Sequence, residues 1–274
     1  MTSPHPAMTR ILDVIERLQE RPYRTNFILS GEPGTGKEGL GRALHQLMAP
    51  AAPLVRLDVV GFPEDEALAA LCGRGKEAGV AEQADGGTII IEETAGLGPR
   101  VQLALLRLLK AGKCERVGTA PSARGRDGAP PRRLQVNAIA LTDRDLLVEV
   151  AAGRLRHDLY YRLARVLLWL PPLRDRMDDI APSAIWMGNR VLDAAGLDLE
   201  VRSSEDLRQA GPAERARAVE LDAGAVDVLR RHGWPGNFRE LETVLERALL
   251  LYRESPVLRA DDIRAALALP LQVV

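Results

Sequence analysis

The sequence is poor in cysteine and in long apolar runs, and each shortage excludes a class of protein. Its two cysteines, Cys72 and Cys114, lie far apart without a metal-ligand spacing, which predicts reduced thiols and excludes a disulfide scaffold. No apolar run approaches the ~18 residues of a membrane span, and residues 1–7 lack a signal-peptide pattern. We therefore expect a cytoplasmic protein without a membrane partner.

Neither sign of charge dominates, and lysine is scarce. The 37 basic and 38 acidic residues give a net charge of −1, which excludes a strong overall attraction to nucleic acid or anionic lipid. Arginine supplies most of the basic residues, and the lysines are Lys37, Lys76, Lys110 and Lys113. Lys37 stands out because it lies within a glycine-rich loop.

The length and composition are those of a soluble globular protein. The chain has 274 residues, of which 46% are hydrophobic and 27% charged, so it is too apolar to be disordered. It exceeds a typical single domain, and one large α/β unit with a smaller appendage, or two domains, is the expected organisation.

Short apolar runs alternate with helical periodicity in the first 170 residues. Strands are predicted at 26–30, 54–59, 88–91 and 136–142. Helices are predicted at 8–18, 38–48 and 101–110. This alternation is typical of a mostly parallel sheet covered by helices on both faces.

The pattern changes at about Pro171. Beyond it the periodicity is helical, at 180–195, 223–232, 238–252 and 260–267. We therefore expect an α/β nucleotide-binding domain at 1–171 and a helical lid domain at 172–274. Two stretches, 119–133 and 198–220, are predicted to be loops or insertions.

A phosphate-binding loop is the clearest motif. Gly31-Glu32-Pro33-Gly34-Thr35-Gly36-Lys37 lies between a predicted strand and a predicted helix. The glycines let backbone N–H groups turn toward phosphate oxygens, the helix N-terminus is positive, and the lysine reaches the terminal phosphates. This context predicts binding of ATP or a close relative. Glu38 departs from the general pattern, which has Ser or Thr at this position as a Mg²⁺ ligand.

Two carboxylates follow the strand at 88–91. Placed beside the phosphate loop, Glu92 could hold Mg²⁺ through water and Glu93 could polarise an attacking water. Paired acidic residues at the end of a strand are usually solvated and have no function. The functional interpretation of Glu92 and Glu93 therefore rests on their position in the sequence after the phosphate loop.

At this point the chain resembles the AAA+ domain of bacterial enhancer-binding proteins, the sigma-54-dependent transcription activators. The resemblance covers nearly the whole chain and includes Glu38 in the loop. The motifs that carry it are 31–38, 82–88, 115–118, Arg156-His157-Asp158-Leu159-Tyr160-Tyr161-Arg162-Leu163, 170–174 and Gly233-Trp234-Pro235-Gly236-Asn237-Phe238-Arg239-Glu240-Leu241.

The resemblance implies a P-loop NTPase of the AAA+ class, an α/β fold followed by a small helical lid. It implies an ATPase that forms a ring of itself, a hexamer or heptamer, with ATP and Mg²⁺ as cofactors. The catalytic residues that it implies are Glu92, Glu93, Asp143, Arg156 and Arg162, the two arginines acting on the neighbouring subunit's nucleotide. The nucleotide-binding residues that it implies are Gly31, Glu32, Pro33, Gly34, Thr35, Gly36, Lys37, Glu38 and, as the sensor on the lid, Arg239.

Three polar positions depart from the family pattern. Glu92 replaces an Asp, Asp143 replaces the sensor Asn, and Asp58 replaces the Asn that partners the catalytic Glu. An ionised Asp only accepts hydrogen bonds, so Asp58 and Asp143 add repulsion near phosphate. A nucleotide-gated binding module with little hydrolysis therefore stays open as a second hypothesis, and a AAA+ protein acting on DNA as a third.

A larger departure lies between Gly73 and Glu82. The family's activators carry a long pore loop there, with the GAFTGA motif that contacts sigma-54, whereas this chain has only the eight residues 74–81. We expect no direct action on sigma-54, and no DNA-binding domain within this chain. The segment 119–133 contains Arg124, Arg126, Arg132 and Arg133. These arginines are predicted to contact nucleic acid or an acidic partner, such as transcription machinery or another protein, or else to be solvated.

Overall fold

The computed structural model describes residues 5–21, 23–118, 133–252 and 255–269. The chain forms two compact units. The sheet unit comprises Thr9–Gly31 and Gly36–Leu170, and the lid unit comprises Met1–Met8, Glu32–Thr35 and Pro171–Val274. Among the described residues no helix combines the length and apolarity that a bilayer crossing requires.

Helices and short strands alternate along the described chain. The helices are α1 (Pro6–Glu20), α2 (Lys37–Met48), α3 (Glu64–Cys72), α4 (Val80–Gln83), α5 (Pro99–Ala111), α6 (Leu146–Ala151), α7 (His157–Leu163), α8 (Ile180–Ala194), α9 (Ser204–Gln209), α10 (Pro212–Ala216), α11 (Ala223–Arg231), α12 (Asn237–Arg247) and α13 (Ala260–Ala268). The strands are β1 (Phe27–Ser30), β2 (Leu54–Leu57), β3 (Gly73–Arg74), β4 (Glu77–Ala78), β5 (Thr88–Ile91), β6 (Asn137–Thr142), β7 (Val166–Trp169), β8 (Glu200–Ser203), β9 (Ala218–Leu221) and β10 (Val257–Leu258).

The sheet unit is built on five parallel strands in the order β2-β5-β6-β1-β7. The apolar residues of β1 and β5 are buried, as expected for strands covered on both faces. The predicted α/β class with a parallel sheet is confirmed. Because all five strands run the same way, the segments that follow β1, β5 and β6 emerge at one edge, where ligands bind in sheets of this kind.

One strand of this sheet, β7, was not predicted from the sequence. Its residues Val166–Trp169 alternate between exposed and more buried positions over only four residues. So short a run between a helix and a proline pair gives a weak periodic signal. Its assignment as an edge strand depends on pairing with β1, which is 139 residues away in the register Phe27↔Val166.

The prediction of unpaired thiols is wrong. Cys72 and Cys114 form a disulfide, with Cα atoms 5.5 Å apart and a sequence separation of 42. Cys72 ends α3 and Cys114 follows α5, and these two helices pack together. Their proximity is a product of tertiary packing, which sequence spacing does not reveal.

The short segment after Cys72 folds as a β-hairpin. β3 and β4 pair antiparallel, Gly73 opposite Ala78, with Gly75 and Lys76 at the turn. Gly73 has a φ of 85°, and a Cβ added there would overlap the Glu77 carbonyl oxygen, so glycine is required. The Val117 N–H donates to the Gly73 carbonyl at 2.9 Å, which holds the hairpin against the segment that contains Cys114.

The lid unit has the expected helical character together with a small sheet. Its core surrounds Trp234, which is fully buried and donates from Nε1 to the Leu229 carbonyl at 2.7 Å. The segment 198–220, predicted to be a loop, instead contains β8, α9, α10 and most of β9. Strands β8, β9 and β10 are parallel, and their partners lie far apart in sequence, which explains why they were missed.

Candidate nucleotide site

Lys37 lies at the start of α2, directly after the glycine loop. Gly36 precedes the helix with a φ of 96°, a left-handed conformation that glycine adopts without strain. The Lys37 Nζ donates to the Gly31 carbonyl at 2.6 Å. The sheet unit thus holds the ammonium group over the loop, and the first-turn N–H groups of α2 supply a positive helix end.

An acidic edge lies beside the loop, formed by Glu38, Asp58 and Glu92. Arg56 of β2 reaches all three: its guanidinium is 2.8 Å from Asp58 Oδ2, 3.4 Å from Glu92 Oε1 and 3.9 Å from Glu38 Oε1. Burial raises the pKa of Glu92, and the positive charge of Arg56 opposes this increase. The Glu92 Oε1 atom is buried and has no hydrogen-bond partner within the part of the chain that the structure describes.

Glu93 has an unusual backbone and an acidic neighbour. Its φ of 40° and ψ of 63° are left-handed, a conformation that costs a non-glycine residue energy and is common at functional sites. The Thr142 hydroxyl lies 3.4 Å from Glu93 Oε1, in hydrogen-bond contact. Burial and the nearby Asp143 carboxylate raise the pKa of Glu93. A carboxylate shifted in this direction suits a group that accepts a proton near neutral pH.

The tip of the glycine loop, Glu32–Thr35, belongs to the lid unit. Arg174 makes a bidentate pair with Glu32 at 2.8 and 2.5 Å. Asn237, fully buried with a φ of 53°, donates to the Pro33 carbonyl at 3.0 Å. A Cβ on Gly34 would overlap the Gly236 carbonyl oxygen, so the close approach of the two backbones requires glycine at that position.

The pair with Arg174 gives this tip a pH dependence. The hydrogen bonds from Arg174 lower the pKa of Glu32 from 4.5 to about 2, with Asn237 contributing. A carboxyl group whose folded-state pKa is depressed contributes stability above its unfolded pKa and loses it as the pH falls toward the folded value.

We expect the melting temperature to fall less between pH 7 and pH 3 in Glu32→Gln than in the wild type. Because the Glu32 side chain is 39% exposed, the difference is about 2–4 °C. Thermal unfolding followed by circular dichroism measures it. Glu246→Gln, an exposed carboxylate of α12 without an ion pair among the described residues, is the control. Equal falls in Glu32→Gln and wild type would contradict the assignment.

The three candidate arginines lie in different surroundings. In the lid unit Arg239 is exposed on α12, and within the described ranges its guanidinium makes no ion pair. In the sheet unit Arg156 is 46% exposed and pairs with Asp158 at 2.9 Å. Arg162 donates to the Leu109 carbonyl at 2.9 Å, at the end of α5. Neither Arg156 nor Arg162 contacts the acidic edge of its own chain.

Of the arginines predicted to contact a partner, Arg124, Arg126 and Arg132 lie outside the described residues, and Arg133 is exposed. Sequence reasoning missed the roles of Arg56, Arg174 and Asn237. Arg174 and Asn237 lie within motifs that carry the family resemblance, and this was the available signal. Arg56 had none, because its contacts depend on the register of β2 against β5.

Two family models match the chain. The sigma-54 interaction domain matches residues 1–168, and the AAA+ ATPase lid domain matches residues 204–270. Among curated proteins, a Nif-specific regulatory protein of Azotobacter vinelandii is 34% identical over 98% of this chain and 49% of its own length. The anaerobic nitric oxide reductase transcription regulator NorR of Salmonella paratyphi C (strain RKS4594) is 36% identical over 94% and 46%. The chain spans about half the length of these relatives.

Solved structures are also similar to this chain. NtrX from Brucella abortus in complex with ATP superposes with a TM-score of 0.77 at 26% identity, covering 100% of this chain and 57% of NtrX. NtrX in complex with ADP gives 0.76 at 27% identity, covering 96% and 54%. A RuvB mutant of Thermotoga maritima, with a TM-score of 0.58 at 14% identity over 97% of this chain and 70% of RuvB, shares the fold alone. The chain belongs to the sigma-54 interaction domain family of AAA+ proteins.

Proposed function

We propose that this chain is a transcription-regulatory AAA+ domain that binds ATP, oligomerises and hydrolyses ATP to ADP and phosphate, without acting directly on sigma-54. The observation that carries the proposal is the loop Gly31–Lys37, which follows the buried strand β1 and leads into α2 with Lys37 turned over the loop. The complexes of NtrX with ATP and ADP support the choice of adenine nucleotide. We place the domain boundary at Pro171.

The residues proposed to bind nucleotide are those of the loop, Gly31 to Glu38, together with Arg239 on α12. Loop N–H groups and the Lys37 ammonium neutralise phosphate charge, and an arginine adds a planar donor fork. We expect the interaction of Lys37 with the phosphates to contribute more to nucleotide binding than that of any other single side chain, because the loop itself positions this cation.

The carboxylates of the acidic edge fit a magnesium ion bound together with nucleotide. Among the described residues the buried Glu92 Oε1 has no hydrogen-bond partner, and carboxylate oxygens are ligands that Mg²⁺ prefers. In nucleotide sites Mg²⁺ is usually held by one or two carboxylates together with phosphate oxygens and water. Glu92, acting through water, would hold the ion, which neutralises charge on the phosphates.

We assign hydrolysis to Glu93, which orients and deprotonates the attacking water. Arg156 and Arg162 are proposed to act on the nucleotide of the next subunit in a ring of six or seven, where a guanidinium stabilises charge on the transferred phosphoryl group. The exposure of Arg156 supports this role. Its ion pair with Asp158 is also about half exposed, so water can replace that pair when the guanidinium turns toward a neighbouring subunit. Arg162 would first have to leave the Leu109 carbonyl.

The test is isothermal titration calorimetry with ATP. We expect Lys37→Ala to weaken ATP binding about 100-fold, because a charge-assisted hydrogen bond to phosphate contributes about 1.5–3 kcal/mol. Lys110→Ala, which removes an exposed lysine from the last turn of α5, is the matched control and keeps wild-type affinity. Equal affinities of Lys37→Ala and the wild type would refute the proposed site.

One observation favours a second candidate function, a nucleotide-gated binding module with little hydrolysis. Asp143 stands beside Glu93, and an ionised aspartate only accepts hydrogen bonds and therefore repels a phosphate group. ATP turnover that rises with protein concentration would support the ATPase. ATP binding without measurable turnover, at concentrations where sedimentation shows oligomers, would support the binding module.

A further inference from the structure

Arg56 engages three carboxylates with three different nitrogen atoms. Its Nε lies 3.4 Å from Glu92 Oε1, one terminal nitrogen lies 2.8 Å from Asp58 Oδ2, and the other lies 3.9 Å from Glu38 Oε1. The guanidinium is a planar fork with donors on three sides, so one arginine can serve all three groups, whereas an ammonium ion acts as a point charge.

The three carboxylates differ in what else neutralises them. Glu38 also pairs with Arg42 at 2.7 Å, one helical turn along α2. Asp58 is 47% exposed and can rely on water. Glu92 is 22% exposed, and its buried Oε1 has no hydrogen bond from the described residues, so its charge depends most strongly on the nearby cation. Removal of Arg56 would therefore affect Glu92 most.

We propose that Arg56 is an internal counter-cation that competes with a divalent metal ion for Glu92. The inference rests on the proposed nucleotide site. A guanidinium beside a carboxylate repels a second cation and occupies the side from which that cation approaches. The Arg56 side chain is 49% exposed, so it can move from Glu92 into solvent or remain on Asp58 alone.

The consequence is a nucleotide site whose dependence on Mg²⁺ is set by this arginine. In the wild type, part of the favourable interaction of the metal with Glu92 is offset by displacement of Arg56. Nucleotide therefore binds with only a modest preference for its magnesium complex. Without the arginine, the Glu92 carboxylate loses its neighbouring cation and attracts the ion more strongly, so the preference grows. Arg56 is thus a positioning residue for Glu92 and has no contact with the reacting atoms.

The experiment is calorimetric titration of ADP, with excess MgCl₂ and with EDTA, which gives a ratio of dissociation constants for each protein. We expect this ratio to be about tenfold larger in Arg56→Ala than in the wild type. Arg56→Lys keeps one charge without the fork and should give a ratio close to that of the wild type. Arg42→Ala, which removes a neighbour of Glu38 alone, is the matched control and leaves the ratio unchanged.

A second measurement needs no nucleotide. Titration of Mn²⁺ alone, followed by the electron paramagnetic resonance signal of the free ion, should show tighter binding by Arg56→Ala than by the wild type. Equal ratios for ADP in Arg56→Ala and the wild type, both folded by circular dichroism, would overturn the inference and leave the proposed function standing. Failure of the wild type to bind ADP would remove the proposed function, and this inference with it.

Discussion

ATP turnover falls by about 100-fold or more in Glu93→Gln, while ATP affinity stays within a few-fold of the wild-type value. The amide has the shape of the carboxylate but cannot accept a proton from water. Burial and Asp143 raise the pKa of Glu93, so the native side chain is a stronger base than an exposed glutamate. Steady-state phosphate release and calorimetry, measured on the same preparation, separate the two effects.

Asp143→Asn is the matched control for Glu93→Gln, because it changes the neighbouring carboxylate and leaves the base intact. The amide can donate a hydrogen bond to phosphate and carries no charge that repels it, so we expect turnover to rise. Turnover of Glu93→Gln within threefold of the wild type would exclude Glu93 as the base.

Mixing of mutant subunits tests where the arginine comes from. In a ring of Glu93→Gln and Arg156→Ala subunits, some interfaces combine an intact Glu93 with an intact Arg156, so turnover should exceed that of either mutant alone. Arg156 is better suited than Arg162 for this test, since loss of Arg162 also removes the bond to the Leu109 carbonyl. No recovery, in rings shown to exchange subunits, would count against a composite site.

Transcription from a sigma-54 promoter stays at background when this chain and ATP replace a family activator in a reconstituted assay. The reason is the size and chemistry of the hairpin Gly73–Ala78. Each arm has two residues, so at ~3.3 Å per residue it extends only about 7 Å beyond its base. Its turn presents Gly75 and Lys76, in place of the aromatic and threonine of the contacting motif.

The hairpin is also held against its neighbouring segment. Val117 exchanges backbone hydrogen bonds with Gly73 and Gly75, and the Arg116 guanidinium donates to the Gly75 carbonyl at 3.1 Å. The Cys72–Cys114 disulfide ties the same two segments together. An activator that carries the long loop serves as the positive control. Transcripts above background with this chain, at equal ATPase activity, would overturn the prediction.

Sequence reasoning located elements correctly where the signal is local. The helices α2, α5, α11 and α13 each have a periodicity that can be recognised within about a dozen residues, and the glycine loop lies between β1 and α2 as predicted. The roles assigned to the loop residues and to the carboxylates after β5 stay predictions. The predicted bounds of β5 are those observed, Thr88–Ile91, because a fully buried strand is a continuous apolar run between polar residues. The loop was identified from its glycine spacing and its lysine, which are equally local signals.

Sequence reasoning failed where a feature depends on residues far apart in the chain. β10 has two residues, and its register with β9, Val257↔Glu220, spans 37 positions. The cysteine pair is formed by the packing of α3 on α5, and the contacts of Arg56 by the pairing of β2 with β5. In each case the residue type is ordinary for its position, so only the assembled structure indicates its partner.

The membership of Glu32–Thr35 in the lid unit has a thermodynamic consequence. The fixed positions of these four residues depend on Arg174, Asn237 and the close backbone of Gly236, so local unfolding of the lid would release them. By linkage, a ligand that requires the loop tip in this conformation stabilises the lid against unfolding, by about 2.7 kcal/mol at a concentration of 100 Kd. Nucleotide concentration would then determine how often the lid segment that begins at Pro171, about 140 residues after the start of the loop, is locally unfolded.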